Sequence, residues 1–344
     1  IKPAEYQLEM TMDMAWNINS IQSNKKDIDL HLKNWLQREF GQKNSAELLH
    51  IMNEYYRLAF IHKPEFMGNT RTEETNPSFK IVSDFPWSEQ EINQRITDYQ
   101  TIENQVKKIS ATIPESKKAS WYQLIEYPVT AAAEMNKKLL YGQLARHNKA
   151  DWKQSDDAYN EIVKLTKQYN QLLGGKWNYM MDFSPRDLAV FSKLKHDSAS
   201  ASLTKEVKPL KLLNGTDFSS FTGNKPSCLG LGYERKAVSI YKSSAVNYIF
   251  STKANNKLSF EFALIPNHPV EGKSIRIAAS VDNGPEQVFD YHTVGRSEEW
   301  KMNVLYNRSI RKMDIQLNQT GKHILTVRAL DEGVILDQIK IIEK

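Results

Sequence analysis

A chain of 344 residues with 46 Lys and Arg against 41 Asp and Glu carries a net charge of only +5. No dense basic stretch grips phosphate, so no nucleic-acid partner is expected. The length favours two or three domains over one core, and no apolar run is long enough to cross a bilayer, so no membrane partner is expected either. The one cysteine, Cys228, excludes an internal disulfide. The chain opens at Ile1 without a signal segment, which reads as a processed protein or a fragment.

The first apolar residues, Tyr6 to Trp16, fit a strand alternation and also a helix burying Leu8, Met12 and Ala15. Helix is preferred, because Pro3 suits a first turn and Asn17-Ile18-Asn19-Ser20 a stop. Leu30, Trp35, Leu36 and Phe40 continue at helical spacing up to Gly41. From Ser45 a stripe of Leu48, Ile51, Met52, Tyr55, Leu58 and Ala59 ends at His62-Lys63-Pro64, and 65–87 reads as a long loop. Ser88-Glu89-Gln90-Glu91 is a capping box ahead of a helix burying Ile92, Ile96, Tyr99, Val106 and Ile109. After Pro114 a further stripe runs through Trp121, Ile125, Val129, Met135 and Leu144, with Pro128 set to kink or split it. A last helix follows Asp151 and stops at Gly174-Gly175, where glycine accepts the positive φ of a helix C-terminus. In the run after the glycines, Trp177, Met180 and Met181 are expected to fill a seam, with Lys176 on the helix's last carbonyls. Helices in such a series form a bundle.

Beyond about Lys211 the helical period gives way to short alternating runs at 237–241, 258–264, 274–281, 310–317, 323–327 and 334–342. Turns such as Asp282-Asn283-Gly284 separate them, as in an antiparallel sandwich. Ser198 to Ser202 is the most linker-like stretch between the two halves.

Several pieces in one order resemble the C-terminal part of glycoside hydrolase family 115, the xylan α-glucuronidases. They are Met14-Ala15-Trp16-Asn17, Lys63-Pro64-Glu65, Trp121-Tyr122 through Glu126-Tyr127-Pro128-Val129 with 131–136, and Gly174 to Arg186. In the second half they are Leu229-Gly230-Leu231-Gly232-Tyr233 with Ala237-Val238, Gly295-Arg296 through Leu305, and Gly333 to Ile339. The resemblance implies a multidomain α + β protein: an α-helical bundle followed by a jelly-roll-like antiparallel β-sandwich, preceded by the last helix of a (β/α)8 barrel. The expected division is 1–43 for the barrel tail, 44–191 for the bundle, 192–210 for a linker and 211–344 for the sandwich. A barrel needs about 250 residues, so most of the catalytic domain is expected outside this chain, which alone is expected to be inactive.

The resemblance implies inverting hydrolysis that removes glucuronic acid or its 4-O-methyl ether from xylan side chains, with the acid and base on barrel strands before Ile1. Glu73-Glu74 is read as solvated surface and not nominated. Trp16 could stack on a sugar and Asn17 bond its hydroxyls, or the pair could pack the barrel on the bundle and cap a helix. Lys63 could face a uronate, or simply end a helix. In the sandwich, Tyr291 and Trp300 are the candidate glycan platform among several aromatics that could equally be core. No cofactor is expected: Asp217, Asp282, Asp331 and Asp337 lack an EF-hand spacing, and His50, His62, His268, His292 and His323 lack a zinc spacing. The implied partners are glucuronoxylan or its oligosaccharides and a second copy in a homodimer, and the implied location is periplasmic or extracellular. The alternative is a non-catalytic carbohydrate-binding or scaffolding protein that uses the sandwich.

Overall fold

The change from helical to alternating spacing is the change between two units in the computed structural model, which describes residues 5–17, 25–69, 82–199, 202–228, 230–253 and 257–344. One unit holds Lys26–Glu206 with the N-terminal helix, the other Val207–Lys344. The expectations for Pro3, Ile18 to Ser20, Glu73-Glu74, Ser200-Ala201 and Leu229 lie outside the described residues.

The helical unit contains α1 (Glu5–Trp16), α2 (Lys25–Phe40), α3 (Ser45–Ile61), α4 (Glu89–Ser110), α5 (Glu115–Trp121), α6 (Tyr127–Arg146) and α7 (Trp152–Gly175). One core joins Leu48, Ile51 and Tyr55 of α3 to Tyr99 and Val106 of α4 and to Ile125 and Val129. Tyr6 of α1 and Leu32, Trp35 and Leu36 of α2 belong to that same core. The capping box forms: Ser88 Oγ accepts from Glu91 N at 3.2 Å, and Glu91 Oε2 from Ser88 N at 2.8 Å. The face of α1 differs from the expected one. Tyr6 and Met10 pack inward, whereas Leu8 and Met12, at 63% and 61% exposed, point to solvent with Trp16. Both stripes have helical spacing, and only the partner helix selects between them.

Helix α6 is buried almost all round, and some of its polar side chains are satisfied by segments that lack regular structure. Gln143 clasps Phe85, accepting from its N at 2.9 Å and donating to its O at 2.9 Å. Asn136 Oδ1 accepts from Arg95 Nε at 2.8 Å. Asp84 accepts from Arg146 Nε at 2.9 Å and meets His147 Nε2 at 2.9 Å. Lys138 Nζ donates to the carbonyls of Val190 at 2.7 Å and Ser192 at 3.0 Å. These bonds hold Asp84 and Phe85 at the end of the 65–87 connection and the 190–192 chain on the bundle. An unpaired buried group would instead cost about 1–3 kcal/mol.

The second unit is a β-sandwich. Its strands are β1 (Lys211–Asn214), β2 (Ser220–Thr222), β3 (Ser227–Cys228), β4 (Val238–Ile240), β5 (Ala245–Thr252), β6 (Lys257–Leu264), β7 (Arg276–Val281), β8 (Gln287–Asp290), β9 (Ser309–Gln316), β10 (Gly321–Ala329) and β11 (Val334–Glu343). One sheet runs β3-β4-β11-β6-β9 with β1 also on β11, the other β2-β5-β10-β7-β8. Every pairing between these strands is antiparallel. Inward residues of both sheets share one core, where the rings of Phe250 on β5 and Phe260 on β6 meet at 5.5 Å. Asp282 and Asn283, at φ +52° and +58°, make the tight turn between β7 and β8.

The sandwich also holds a helix, α8 (Glu298–Tyr306), in a stretch to which the residue spacing assigns no element. Its signals are local: Ser297 Oγ accepts from Trp300 N, Glu298 and Glu299 occupy the first turn, and Asn307 ends it at φ +47°. Nearby, buried Asp337 on β11 accepts from Tyr233 N at 3.1 Å, and the Arg308 guanidinium lies 3.6 Å from the Tyr233 ring. Burial pushes the Asp337 carboxyl above its usual value, against the opposing pull of Arg308. Gly232 packs so closely here that a Cβ would lie 2.0 Å from Asp337 Oδ1, at φ +94°.

Two measurements follow. Gly272, also at positive φ, has open space around its missing Cβ; Gly272→Ala should cost about 1–2 kcal/mol of conformational strain. Gly232→Ala should cost about 1–3 kcal/mol more by overlap, and equal losses in chemical denaturation would remove the argument. Lys138 titrates separately: burial lowers its pKa from 10.5 to about 7, in keeping with a neutral amine giving its two hydrogens to two carbonyls. Between those values the unfolded chain binds a proton that the folded chain does not, so this group's contribution to stability rises with pH and is lowest below about pH 7. From about pH 6 to about pH 9 the wild type should gain stability relative to Lys138→Met. A constant gap would mean an ordinary lysine.

Candidate functional site

Three segments that carry the family-like motifs are far apart in sequence and meet at one cavity of about 270 Å³. The first follows α3. Lys63 is extended, and Pro64 opens a single 3₁₀ turn over Pro64–Phe66, in which Met67 N donates to Pro64 O at 3.2 Å. Proline is at home there because the first turn needs no N–H from it.

The second segment joins α5 to α6. Pro128 has no N–H for the carbonyl one turn back, and the chain responds by widening into a π turn over Tyr122–Glu126, with Tyr127 N donating to Tyr122 O. The expected kink or break is thus a local bulge, and the helical path continues into α6. Glu126 Oε2 accepts from Trp121 Nε1 and from Ser110 Oγ, each at 2.9 Å, and Tyr122 Oη donates to Leu165 O at 2.8 Å. These bonds lock the bulge and set the direction of Tyr127. Burial raises the Tyr127 pKa, and the buried Thr166 Oγ1 has no hydrogen-bond partner among the described residues.

The third segment is the run after α7. The helical backbone ends two residues before the glycines: Leu172 is extended at ψ +141°, and Leu173, Gly174 and Gly175 take φ of +53°, +70° and +87° in succession. Lys176 does not reach back to the helix carbonyls through its side chain; its Nζ lies 5.0 Å over the Trp177 ring. Trp177 and Met181 pack with Tyr122, Leu165 and Tyr169, as a seam requires, while Met180 is exposed. Asn170 then clasps Met181, accepting from its N and donating to its O at 2.9 Å each. Asp182 follows, its Oδ1 accepting from Ser184 N at 2.9 Å.

Pro64 and Glu65, Tyr127 and Pro128, and Asp182 and Phe183 are thereby brought to the cavity wall, with Thr166 of α7 beside them. A more open hollow of about 600 Å³ borders Glu126 on the π turn. Its lysines are engaged: Lys107 with Glu103 at 2.5 Å and Lys118 with Glu115 at 2.7 Å.

None of the residues nominated from sequence is among those lining the cavity. Trp16 is 87% exposed at the end of α1, and Asn17 N donates to Asp13 O at 2.8 Å. Lys63 directly precedes the cavity-lining Pro64 and Glu65, with its Nζ 5.4 Å from the Phe66 ring. Tyr291 is only 2% exposed in the sandwich core, so it presents no ring face to a sugar, and the platform reading is corrected for this residue. Trp300 is half-buried on α8.

Spacing also missed a group that could hold a metal ion, Glu9, Asp13 and His31, whose ligand atoms lie within 4.8 Å of one another across α1 and α2. His31 Nε2 is 2.8 Å from Asp13 Oδ2, and Arg38 forks onto Glu9 at 2.9 and 2.6 Å. The side chains satisfy one another in pairs, which is enough to explain the cluster.

Residues 1–66 match glycosyl hydrolase family 115, and residues 231–343 match the glycosyl hydrolase family 115 C-terminal domain. Among solved structures, BtGH115A, described as a family 115 4-O-methyl-α-glucuronidase with specificity for decorated arabinogalactans, is 45% identical with a TM-score of 0.95. The likeness covers 100% of this chain and 45% of that one. A CBM6 carbohydrate-binding module from Cellvibrio mixtus lichenase 5A, in complex with cellotriose, matches at 13% identity and a TM-score of 0.30, covering 40% of this chain and 99% of the module. That second likeness is too slight to bear on function. No curated protein matches the chain. The chain belongs to glycoside hydrolase family 115, as a C-terminal portion made of a helical bundle followed by a β-sandwich.

Proposed function

We propose that this chain is the accessory C-terminal portion of an inverting α-glucuronidase that removes glucuronic acid or its 4-O-methyl ether from a plant polysaccharide. The observation that carries the reading is the 45% identity over the whole chain to BtGH115A. That enzyme's stated specificity favours a decorated arabinogalactan ahead of glucuronoxylan as the substrate. A polysaccharide substrate is in turn met outside the cytoplasm, in the periplasm or the extracellular space. Inverting hydrolysis uses one carboxyl as acid and a second, about 6.5–9.5 Å away, to activate water. Both belong, on this reading, to a barrel N-terminal to the bundle, with residues 1–43 as its tail.

The exposed stripe of Leu8, Met12 and Trp16 supports that assignment, because three large apolar side chains one turn apart form the kind of face that packs against another body. Replacing all three with serine should change the stability of the 344-residue chain by no more than about 0.5 kcal/mol. In the same chain joined to its barrel, it should lower the unfolding midpoint and the rate of uronic acid release. No effect in the joined protein would dismiss the barrel contact.

The chemistry is tested by incubating arabinogalactan and glucuronoxylan oligosaccharides with each form and measuring free uronic acid. Release is expected from the joined protein, faster from arabinogalactan, and none from the 344-residue chain. Release by the chain alone would overturn the placement of the acid and base in the barrel.

A further inference from the structure

We infer that the turn closing α7 is a second docking surface for the catalytic body of the parent hydrolase, made by Leu173, Tyr179 and Met180. The existence of that body rests on the proposed function; the exposed turn is a property of this chain by itself.

Exposure is the first observation. Leu173, Tyr179 and Met180 are 64%, 91% and 47% exposed and close in sequence. Singly such side chains need no explanation, but a group of them marks an interaction site. The backbone is the second observation. Leu173 at φ +53° and Tyr179 at φ +64° are non-glycine residues in the left-handed region, which a side chain with a Cβ adopts at a cost. Their own packing does not offset that cost, since both side chains stand largely in solvent. Strain of this kind persists where the surroundings fix it, and it gathers at functional surfaces.

The fixing contacts are local. Asn170 holds both backbone groups of Met181. Met180 N donates to Trp177 O at 3.0 Å, and Tyr179 N to Asn178 Oδ1 at 3.1 Å. Trp177 and Met181 anchor the turn from beneath, in the cluster with Tyr122, Leu165 and Tyr169. The apolar side chains are therefore presented on a tied base, which reduces the ordering entropy lost on docking.

Position identifies the partner. Burial raises the Tyr169 pKa, and Glu5, in the first turn of α1, lies close enough for its carboxylate to add to the rise. Pro128 lines both the small hollow bordered by Glu5 and Tyr6 and the cavity bordered by Asp182. The start of α1 and the end of the turn thus flank the same π turn. Residues 1–66, which include α1, match the hydrolase family, and over half of BtGH115A lies outside its match to this chain. A body seated on the exposed stripe of α1 has this turn within reach. Chemistry agrees with a protein partner: leucine and methionine offer a sugar no strong hydrogen bond. Tyrosine, methionine and arginine are enriched at protein interfaces, and the same run also carries an exposed Arg186.

The test is methionine oxidation by dilute hydrogen peroxide, read residue by residue by mass spectrometry on the 344-residue chain and on the same chain joined to its barrel. Sulfoxide forms where the thioether is exposed, so Met180 reports the turn, and Met12, 61% exposed on α1, reports the stripe independently. Met180 should oxidise at least about fivefold more slowly in the joined protein. Protection of Met12 alone would overturn the second surface and leave the α1 contact standing, whereas protection of Met180 alone would do the reverse. Protection of neither would remove both. Protection of Met180 that grows with the concentration of the 344-residue chain would assign the turn to a second copy and overturn the proposal. A substitution supplies an independent measurement, because asparagine enters the left-handed region more readily than tyrosine. Tyr179→Asn should raise the unfolding midpoint of the 344-residue chain by about 2 °C and lower that of the joined protein by at least about 2 °C. A shift of the same sign in both forms would overturn the docking role.

Discussion

Pro128 has no hydrogen on its nitrogen, and the helical unit is arranged around that absence. A carbonyl on the preceding turn loses its partner, the turn widens to the π form, and Trp121, Tyr122, Glu126 and Tyr127 take their directions from the wider turn. Bonds from Ser110 and Trp121 to Glu126, and from Tyr122 to α7, then hold the bulge against relaxation. A regular helix through the same residues would rotate Tyr127 away from Thr166 and reshape the cavity wall.

Downstream of the bulge, α6 acts as the post to which the irregular chain is tied. Gln143 and Lys138 are buried polar groups, each bonded to a segment that brings no ladder of its own, and Asn136 ties α6 to Arg95 of α4. The sandwich uses the same device with fewer parts. Asp337 draws the Tyr233 loop onto β11, and Gly232 is the residue small enough to let it approach. The family-like motifs of the two units therefore have different meanings. Those of the bundle end at a cavity, whereas two of those in the sandwich end at a buried carboxylate that holds a loop.

The first core takes in α1 and α2 as readily as α3 and α4. Whatever covers Leu8, Met12 and Trp16 would thus be coupled through α1 to the helices that shape the cavity.

Much of this was legible in the residues themselves. The Ser88 capping box, the Asp282-Asn283 turn, the end of α7 just ahead of Gly174-Gly175 and the switch from period 3.6 to period 2 are local, decided within a few bonds of the residues that encode them. The helix of α8 was equally local in its caps, but it is short and lies among alternating runs, and residue spacing assigns it no element. The face that α1 buries, the burial of Tyr291, the grouping of Glu9 and Asp13 with His31, and the cavity itself were not legible. Each depends on which distant segment arrives opposite. Sequence alone determined the elements, their order and the family, because hydrogen-bond geometry and side-chain period act over short spans. Only the tertiary structure decided that Glu65, Tyr127 and Asp182 share one wall, because contacts among residues so far apart in sequence depend on the packing of the whole bundle.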